Sequence, residues 1–178
     1  MTKLKVIASG LMLSMGFYAC NPAAETGSSE SADSTDTVAA VPVVLENEEV
    51  QIAYDKYLQL KDNLVSSDAE SSAKSAAELA SALAKIDGCE NAAGLASKIA
   101  GTDDLAIQRI NFTILSDDVI AMMKHTPVNS GSMFVQYCPM ANDGEGGYWL
   151  ASEKQIRNPY YGDAMLHCGE VKETLSAK

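Results

Sequence analysis

The pattern of apolar and polar positions changes character several times along the chain. Val6 to Tyr18 is a mostly apolar stretch, and residues 21–45 show no apolar period at all. From Glu46 a helical period sets in. Val50, Tyr54, Tyr57, Leu60 and Leu64 recur at steps of four, three, three and four, which puts them on one helical face. Ser66-Ser67-Asp68 interrupts that face, and Ser67 with Glu70 has the spacing of a capping box, predicting a second helix start. Ala73, Ala76, Ala80 and Leu83 then form a second face flanked by Leu79 and Ile86, and Asp87-Gly88 is its stop signal. A short third helix is expected from about Asn91 to Ala100, closed by Gly101. Leu105, Phe112, Leu115, Val119 and Met122 predict a fourth, with Ser116-Asp117-Asp118 as a candidate interruption and Thr126-Pro127 as its end.

The last fifty or so residues read differently. Ser132 to Tyr137 predicts a short strand, Asn142 to Gly147 a turn, and Tyr148-Trp149-Leu150 a strand pairing back. Asn158-Pro159-Tyr160-Tyr161-Gly162 is a further turn, and Val171 to Leu175 is expected to close the chain as a short helix. Short connections between the helical segments imply an up-and-down arrangement. The expected fold class is therefore mainly α: a small up-and-down helical bundle with an irregular C-terminal region containing a short β-hairpin.

The N-terminus adds an address. Lys3 and Lys5 precede the apolar stretch, which is too short for a bilayer-spanning helix of about 20 residues and has the layout of a secretory signal. Phe17-Tyr18-Ala19-Cys20 reads as a lipobox, with a small residue before the cysteine. An ordinary secreted protein is the alternative. The domain plan is then residues 1–19 as lipoprotein signal peptide, 20–45 as a lipidated Cys20 with a disordered, acidic, Ser/Thr-rich tether, and 46–178 as the folded domain. A flexible coil of about 25 residues spans roughly 25–30 Å, enough to lift that domain off a membrane surface. The expected location is the cell envelope, lipid-anchored, facing the periplasm or associated with the outer membrane.

Charge narrows the partners. The net charge is −11, and loss of Lys3 and Lys5 with the signal makes it −13. Such a balance disfavours nucleic acid, whose binding relies on cationic side chains at the phosphates. It equally disfavours polybasic attachment to anionic lipid, so membrane contact is expected through the acyl chains on Cys20 alone.

Candidate chemistry lies in two short segments, Tyr137-Cys138-Pro139-Met140 and Met165-Leu166-His167-Cys168-Gly169. Each sets a thiol near a thioether, and the second adds an imidazole. Thiolate and thioether ligands select Cu(I) and related soft ions, while imidazole suits copper and zinc. Met122, Met123, His125 and Met133 are close enough in sequence to extend a sulfur-rich surface. A structural disulfide between Cys138 and Cys168 is the competing reading, suited to an oxidising compartment and worth about 3–4 kcal/mol for a loop of about 30 residues. Met140 and Met165 as core fillers, and His167 as a plain surface residue, are the bland alternatives. With Cys20 lipidated, three of the four cysteines remain, an odd number. Cys89 beside Asp87-Gly88 reads as a helix-boundary residue. A thiol enzyme would need Cys138 or Cys168 to pair with His125 or His167. The chain offers no nucleophile elbow, phosphate loop or dinucleotide fingerprint.

Several segments carry a resemblance. Tyr54-x-x-Tyr57-Leu58-x-Leu60-Lys61-Asp62-x-Leu64-Val65, Cys138-Pro139-Met140-Ala141, Trp149-Leu150, Ile156-x-Asn158-Pro159-Tyr160-Tyr161-Gly162 and Met165-Leu166-x-Cys168-Gly169 together resemble an uncharacterised domain family of Gram-negative lipoproteins. That family also occurs fused to periplasmic adaptor subunits of heavy-metal efflux systems. The resemblance spans roughly Glu46 to Leu175. It implies a helical bundle, an association with copper and heavy-metal efflux, and an efflux adaptor as partner; it supplies no catalytic residues. Two departures each remove an imidazole. Tyr137 stands where family members often have His, and Ala141 stands where the short heavy-metal motif has His, with His167 a partial replacement. The expectation is a non-enzymatic lipoprotein binding Cu(I) or a similar soft ion through Cys138, Met140, Met165 and Cys168, with His167 as a further donor. The alternative is an interaction module, stapled by a Cys138–Cys168 disulfide, that docks on an envelope or efflux-adaptor partner.

Overall fold

The computed structural model describes residues 41–177. The expected signal peptide, Cys20 and the tether up to residue 40 lie outside the described residues. The elements in order are β1 (Val44–Leu45), α1 (Glu48–Val65), α2 (Ala69–Leu83), α3 (Glu90–Ala100), α4 (Leu105–Lys124), β2 (Val128–Ser130), β3 (Ser132–Cys138), β4 (Gly147–Ala151) and β5 (Glu170–Ser176). Short 3₁₀ turns at Asn142–Gly144 and Gly162–Met165 lie on either side of β4. The protein is mainly α, as the periodicity predicts, and each helix packs on the next in sequence. Among the described residues no helix is long and apolar enough to cross a membrane.

The helix starts follow from side chains that take up free N–H groups. Asn47 accepts from the backbone of Glu49 and Val50, and Asp104 from Ala106 and Ile107. For α2 the cap is Asp68, not the expected Ser67. Asp68 accepts from both the backbone and the hydroxyl of Ser71. Ser67 instead makes the corner with φ +55°. The α1 face read from the sequence is buried throughout, joined by Ala53, Lys61 and Val65. The buried face of α2 is turned from the expected one: Ser72, Ser75, Ala76, Leu79, Ala82 and Leu83 point inward, while Ala73 and Ala80 are only partly covered. Two serines on that face hid the true period.

The candidate interruption at Ser116-Asp117-Asp118 does not occur, and α4 runs unbroken for 20 residues. Ser116 is fully buried and its Oγ lies 2.7 Å from the Tyr57 hydroxyl, so it bonds across the bundle rather than to its own backbone. The same Tyr57 hydroxyl accepts the Leu150 N–H at 3.1 Å, and the Tyr57 ring stacks on Phe112 at 5.4 Å. One tyrosine thus joins α1, α4 and β4. Burial pushes the Tyr54 and Tyr57 phenols far above their ordinary value, as expected for neutral groups with little water nearby.

A three-stranded antiparallel sheet in the order β4-β3-β5 caps the bundle. Phe134 to Cys138 pairs with Ala151 to Gly147, and Ser132 to Tyr137 pairs with Ser176 to Glu170. The expected hairpin is therefore present. The expected closing helix over Val171 to Leu175 is instead strand β5. β-branched Val171 and Thr174 suit a strand, and the open edge of β3 supplies backbone partners that an isolated five-residue helix lacks. Trp149, Leu150 and Ala151 of β4 are buried where α4 crosses them, whereas β5 shows most of its side chains to solvent. Leu45, inside the stretch assigned to the tether, is buried, and β1 pairs with β2.

The candidate dithiol site

Cys138 is the last residue of β3, the central strand, opposite Gly147 of β4. It is fully buried. Cys168 lies two residues before β5, in the turn that follows Gly162–Met165. The strand pairing of Tyr137 with Glu170 brings this turn back across the end of β3. The two thiols, thirty residues apart in sequence, meet with sulfurs 3.0 Å apart. Both are free thiols, and Cys168 is partly exposed. Its hydrogen bond to Cys138, with a smaller contribution from burial, holds the Cys168 thiol above its ordinary value.

The loop that carries Cys168 is organised by Asn158, a residue the sequence marks only as part of a turn. Asn158 is fully buried. Its side-chain amide donates to the Cys168 carbonyl at 2.8 Å, and its Oδ1 accepts the Tyr160 N–H at 2.8 Å. Its backbone N–H donates to Leu166, and its carbonyl accepts from Gly162. Arg109 of α4 holds the neighbouring Pro159 carbonyl at 2.8 Å while also donating to Leu64 and Ser67. The loop is thereby tied to the α1–α2 corner. Gly169, with φ +144°, completes the approach: a Cβ there would meet the Tyr137 carbonyl at 2.8 Å and the Trp149 ring at 2.9 Å.

The remaining expected donors are less uniformly placed. Met165 is on the Cys168 turn, and its carbonyl accepts the Cys168 N–H at 3.0 Å. His167 is beside it. Its Nδ1 sits 3.1 Å from the Ile156 carbonyl, which can only accept, so Nδ1 is the donor and, in the neutral ring, Nε2 is the acceptor nitrogen. Met140 follows Cys138 by two residues, but its side chain is half exposed. Its carbonyl is held by the Tyr161 hydroxyl at 2.5 Å. The geometry brings Cys138 and Cys168 together and puts Met165 and His167 on the same turn as Cys168. Met140 is left at the rim.

Among the described residues no three His, Cys, Asp or Glu side chains converge on one point, so an ion at this site would depend on thioether donors. Two sulfurs 3.0 Å apart with metal–sulfur bonds near 2.3 Å would enclose an angle of only about 80°. An opening to about 3.5–3.8 Å gives the wider angles soft ions take. A disulfide requires the opposite movement, to about 2.05 Å. The donor set suits a soft ion, and the spacing lies between the two chemistries.

A second sulfur pair lies between α3 and α4. Cys89, read as a helix-boundary residue, caps α3 without a side-chain bond and directs its thiol at Met122 of α4, sulfur to sulfur 3.5 Å. Burial, with smaller contributions from Glu90 and Asp118, raises that thiol above its ordinary value.

The architecture defines the class first: a small helical bundle capped by an antiparallel sheet, with a dithiol at the end of the central strand. Residues 53–131, from α1 through β2, match the family described as "Protein of unknown function (DUF3347)". The match ends before β3, so neither Cys138 nor Cys168 lies within it. No curated protein matches the chain. No solved structure does either.

Proposed function

We propose that the chain is a non-enzymatic envelope lipoprotein, anchored through Cys20, whose folded domain binds Cu(I) or a similar soft monovalent ion in connection with heavy-metal efflux. The observation that carries this reading is the meeting of Cys138 and Cys168 at 3.0 Å from segments thirty residues apart. Binding converts the two thiols and one Cu(I) into a bis-thiolate complex and releases two protons, with no change of oxidation state. Met165, Met140 and the free Nε2 of His167 are the further donors. Partial exposure of Cys168 gives an ion, or an efflux adaptor receiving it, a way in.

Anaerobic titration of the reduced full chain with Cu(I), against a chromophoric chelator, tests the reading. The Cys138→Ser/Cys168→Ser variant is expected to bind one ion fewer per chain. Equal stoichiometry and affinity in the two proteins would remove the proposal.

A specific observation favours a second reading, the interaction module stapled by a Cys138–Cys168 disulfide. Cys138 is wholly buried among apolar side chains, and the thiols are closer than a shared ion requires. Peptide mapping under non-reducing conditions, on protein isolated from cells, separates the two. A stoichiometric Cys138–Cys168 bridge selects the module.

A further inference from the structure

Cys89 and Met122 lie in a cleft between the start of α3 and the last turns of α4. The cleft is about 410 Å³ and is lined also by Leu83, Asp118, Val119 and His125. Three kinds of soft or borderline donor therefore face one space: a thiol, a thioether and an imidazole. Their placement follows from the fold. Met122 and His125 are three residues apart at the end of α4, the spacing that puts two side chains on one side of a helix. The His125 N–H bonds to the Met122 carbonyl at 3.1 Å, so the last turn fixes both. Cys89 reaches them because α3 packs on α4. Its side chain makes no capping bond, and its thiol is directed at Met122 instead.

The sulfur geometry is close to what an ion needs. Two sulfurs 3.5 Å apart, each about 2.3 Å from a shared ion, enclose an angle of about 100°. No opening is required, in contrast to Cys138 and Cys168. Asp118 on the cleft wall adds negative charge and is steadied by Asn91, whose amide donates to it at 2.6 Å. Glu90 follows Cys89 directly and accepts from the Gly88 N–H. His125 is exposed and lines the same cleft.

We infer that Cys89, Met122 and His125 form a second site for a soft monovalent cation, Cu(I) or Ag(I), separate from the Cys138–Cys168 pair. On binding, the Cys89 thiol gives up its proton to solvent and its thiolate bonds the cation. Met122 Sδ and one imidazole nitrogen complete a three-coordinate set, and no electron is transferred. The site also accounts for the odd cysteine that a Cys138–Cys168 pair leaves over.

Methionine-methyl NMR tests this on the reduced full chain, labelled with ¹³C-methyl methionine and titrated anaerobically with Cu(I) in the presence of a competing chelator. The Met122 methyl is assigned as the signal missing from Met122→Leu. It is expected to shift as Cu(I) binds, to shift equally in Cys138→Ser/Cys168→Ser, and to stop responding in Cys89→Ser. His125→Ala is expected to weaken the response without moving the apo signal. A Met122 methyl that stays put in the wild-type protein overturns the inference, and this result needs no variant that might misfold. If only the Met140 and Met165 signals respond, the C-terminal site stands and this one falls. If only Met122 responds, the reverse holds.

Discussion

Replacing Tyr57 with Phe removes one oxygen from the point where two helices and the sheet meet. Two hydrogen bonds go with it, to Ser116 at 2.7 Å and from the Leu150 N–H at 3.1 Å. Their consequences differ. Ser116 can turn its hydroxyl back to a carbonyl of its own helix, so its loss is small. Leu150 has no such resort. β4 is an edge strand of the sheet, Leu150 is fully buried, and its N–H is taken by Tyr57 rather than by another strand. A buried donor left without a partner costs about 1–3 kcal/mol, and the lost bonds themselves about 1 kcal/mol each at most. The expected destabilisation is about 2–3 kcal/mol, which lowers Tm by about 6–12 °C for a domain of this size. Thermal and urea unfolding followed by circular dichroism measure it. Ser116→Ala alone should cost less, and the double variant Tyr57→Phe/Ser116→Ala should cost less than the two single losses together, because they share a bond. A Tyr57→Phe protein within about 0.5 kcal/mol of wild type, the scale of an ordinary surface substitution, would refute the claim that this hydroxyl joins sheet to bundle.

Other consequences can be checked alongside. Lys61 is almost wholly buried and pairs with Asp62 at 2.9 Å and Glu153 at 2.8 Å. Lys61→Met leaves two partly exposed carboxylates that water can solvate and should cost at most about 1 kcal/mol; Glu153→Ala/Asp62→Ala strands a buried ammonium and should cost about 3 kcal/mol or more, with Glu153→Ala alone between the two because Asp62 remains, and the opposite order in urea titrations would contradict this. Burial raises the Tyr54, Tyr57 and Tyr160 phenols above their ordinary value of 10. Their stabilising contribution is therefore complete below pH 10 and is lost as pH climbs beyond it, because the unfolded chain ionises first. Absorbance at the tyrosinate band should show these three silent at pH 11 until the fold is lost. Gly131 has φ +77°, and a Cβ there would lie 2.6 Å from the Pro42 carbonyl. Gly131→Ala should cost about 1–2 kcal/mol and loosen β1 from β2, read as faster amide exchange at Glu46, whose N–H donates to the Pro127 carbonyl beside β2.

What was legible in the sequence was the part governed by local period. The α1 face from Val50 to Leu64 is buried residue for residue, because a single apolar stripe at steps of three and four has no rival structure. The strands β3 and β4 were legible for the same reason, between strong turn residues. Apart from the one-residue shift of the α2 cap from Ser67 to Asp68, the errors come from partners outside the local segment. Ser116 looks like a helix breaker until Tyr57 takes its hydroxyl. Ser72 and Ser75 look like an outer face, and Ser75 is bonded by Asn63 of the preceding helix. Val171 to Leu175 has no period of its own and takes strand form from β3. The dithiol was legible as two segments of suitable chemistry, but not as a pair at 3.0 Å, since that depends on Asn158 and Gly169 folding the last loop back. The Cys89–Met122 contact had no sequence signal, because it exists only through the packing of α3 on α4.

The unequal footing of the two C-terminal thiols constrains any chemistry they carry. Cys138 ends the central strand, paired with Gly147 of β4 and without exposure, so displacing its sulfur disturbs that pairing and the packing beneath it. Cys168 sits in a loop whose own bonds run mainly to Asn158, Met165 and Leu166 within the same segment. Opening by about 0.5–0.8 Å to admit an ion, or closing by about 1 Å to form a disulfide, must therefore come chiefly from residues 158–169. That loop is also the element tied by Arg109 to the α1–α2 corner. The loop that sets the spacing of the dithiol is thus held on the helical bundle by the Arg109 guanidinium and by Tyr160, whose ring lies 5.9 Å from that of Phe112, so movement of residues 158–169 works against both.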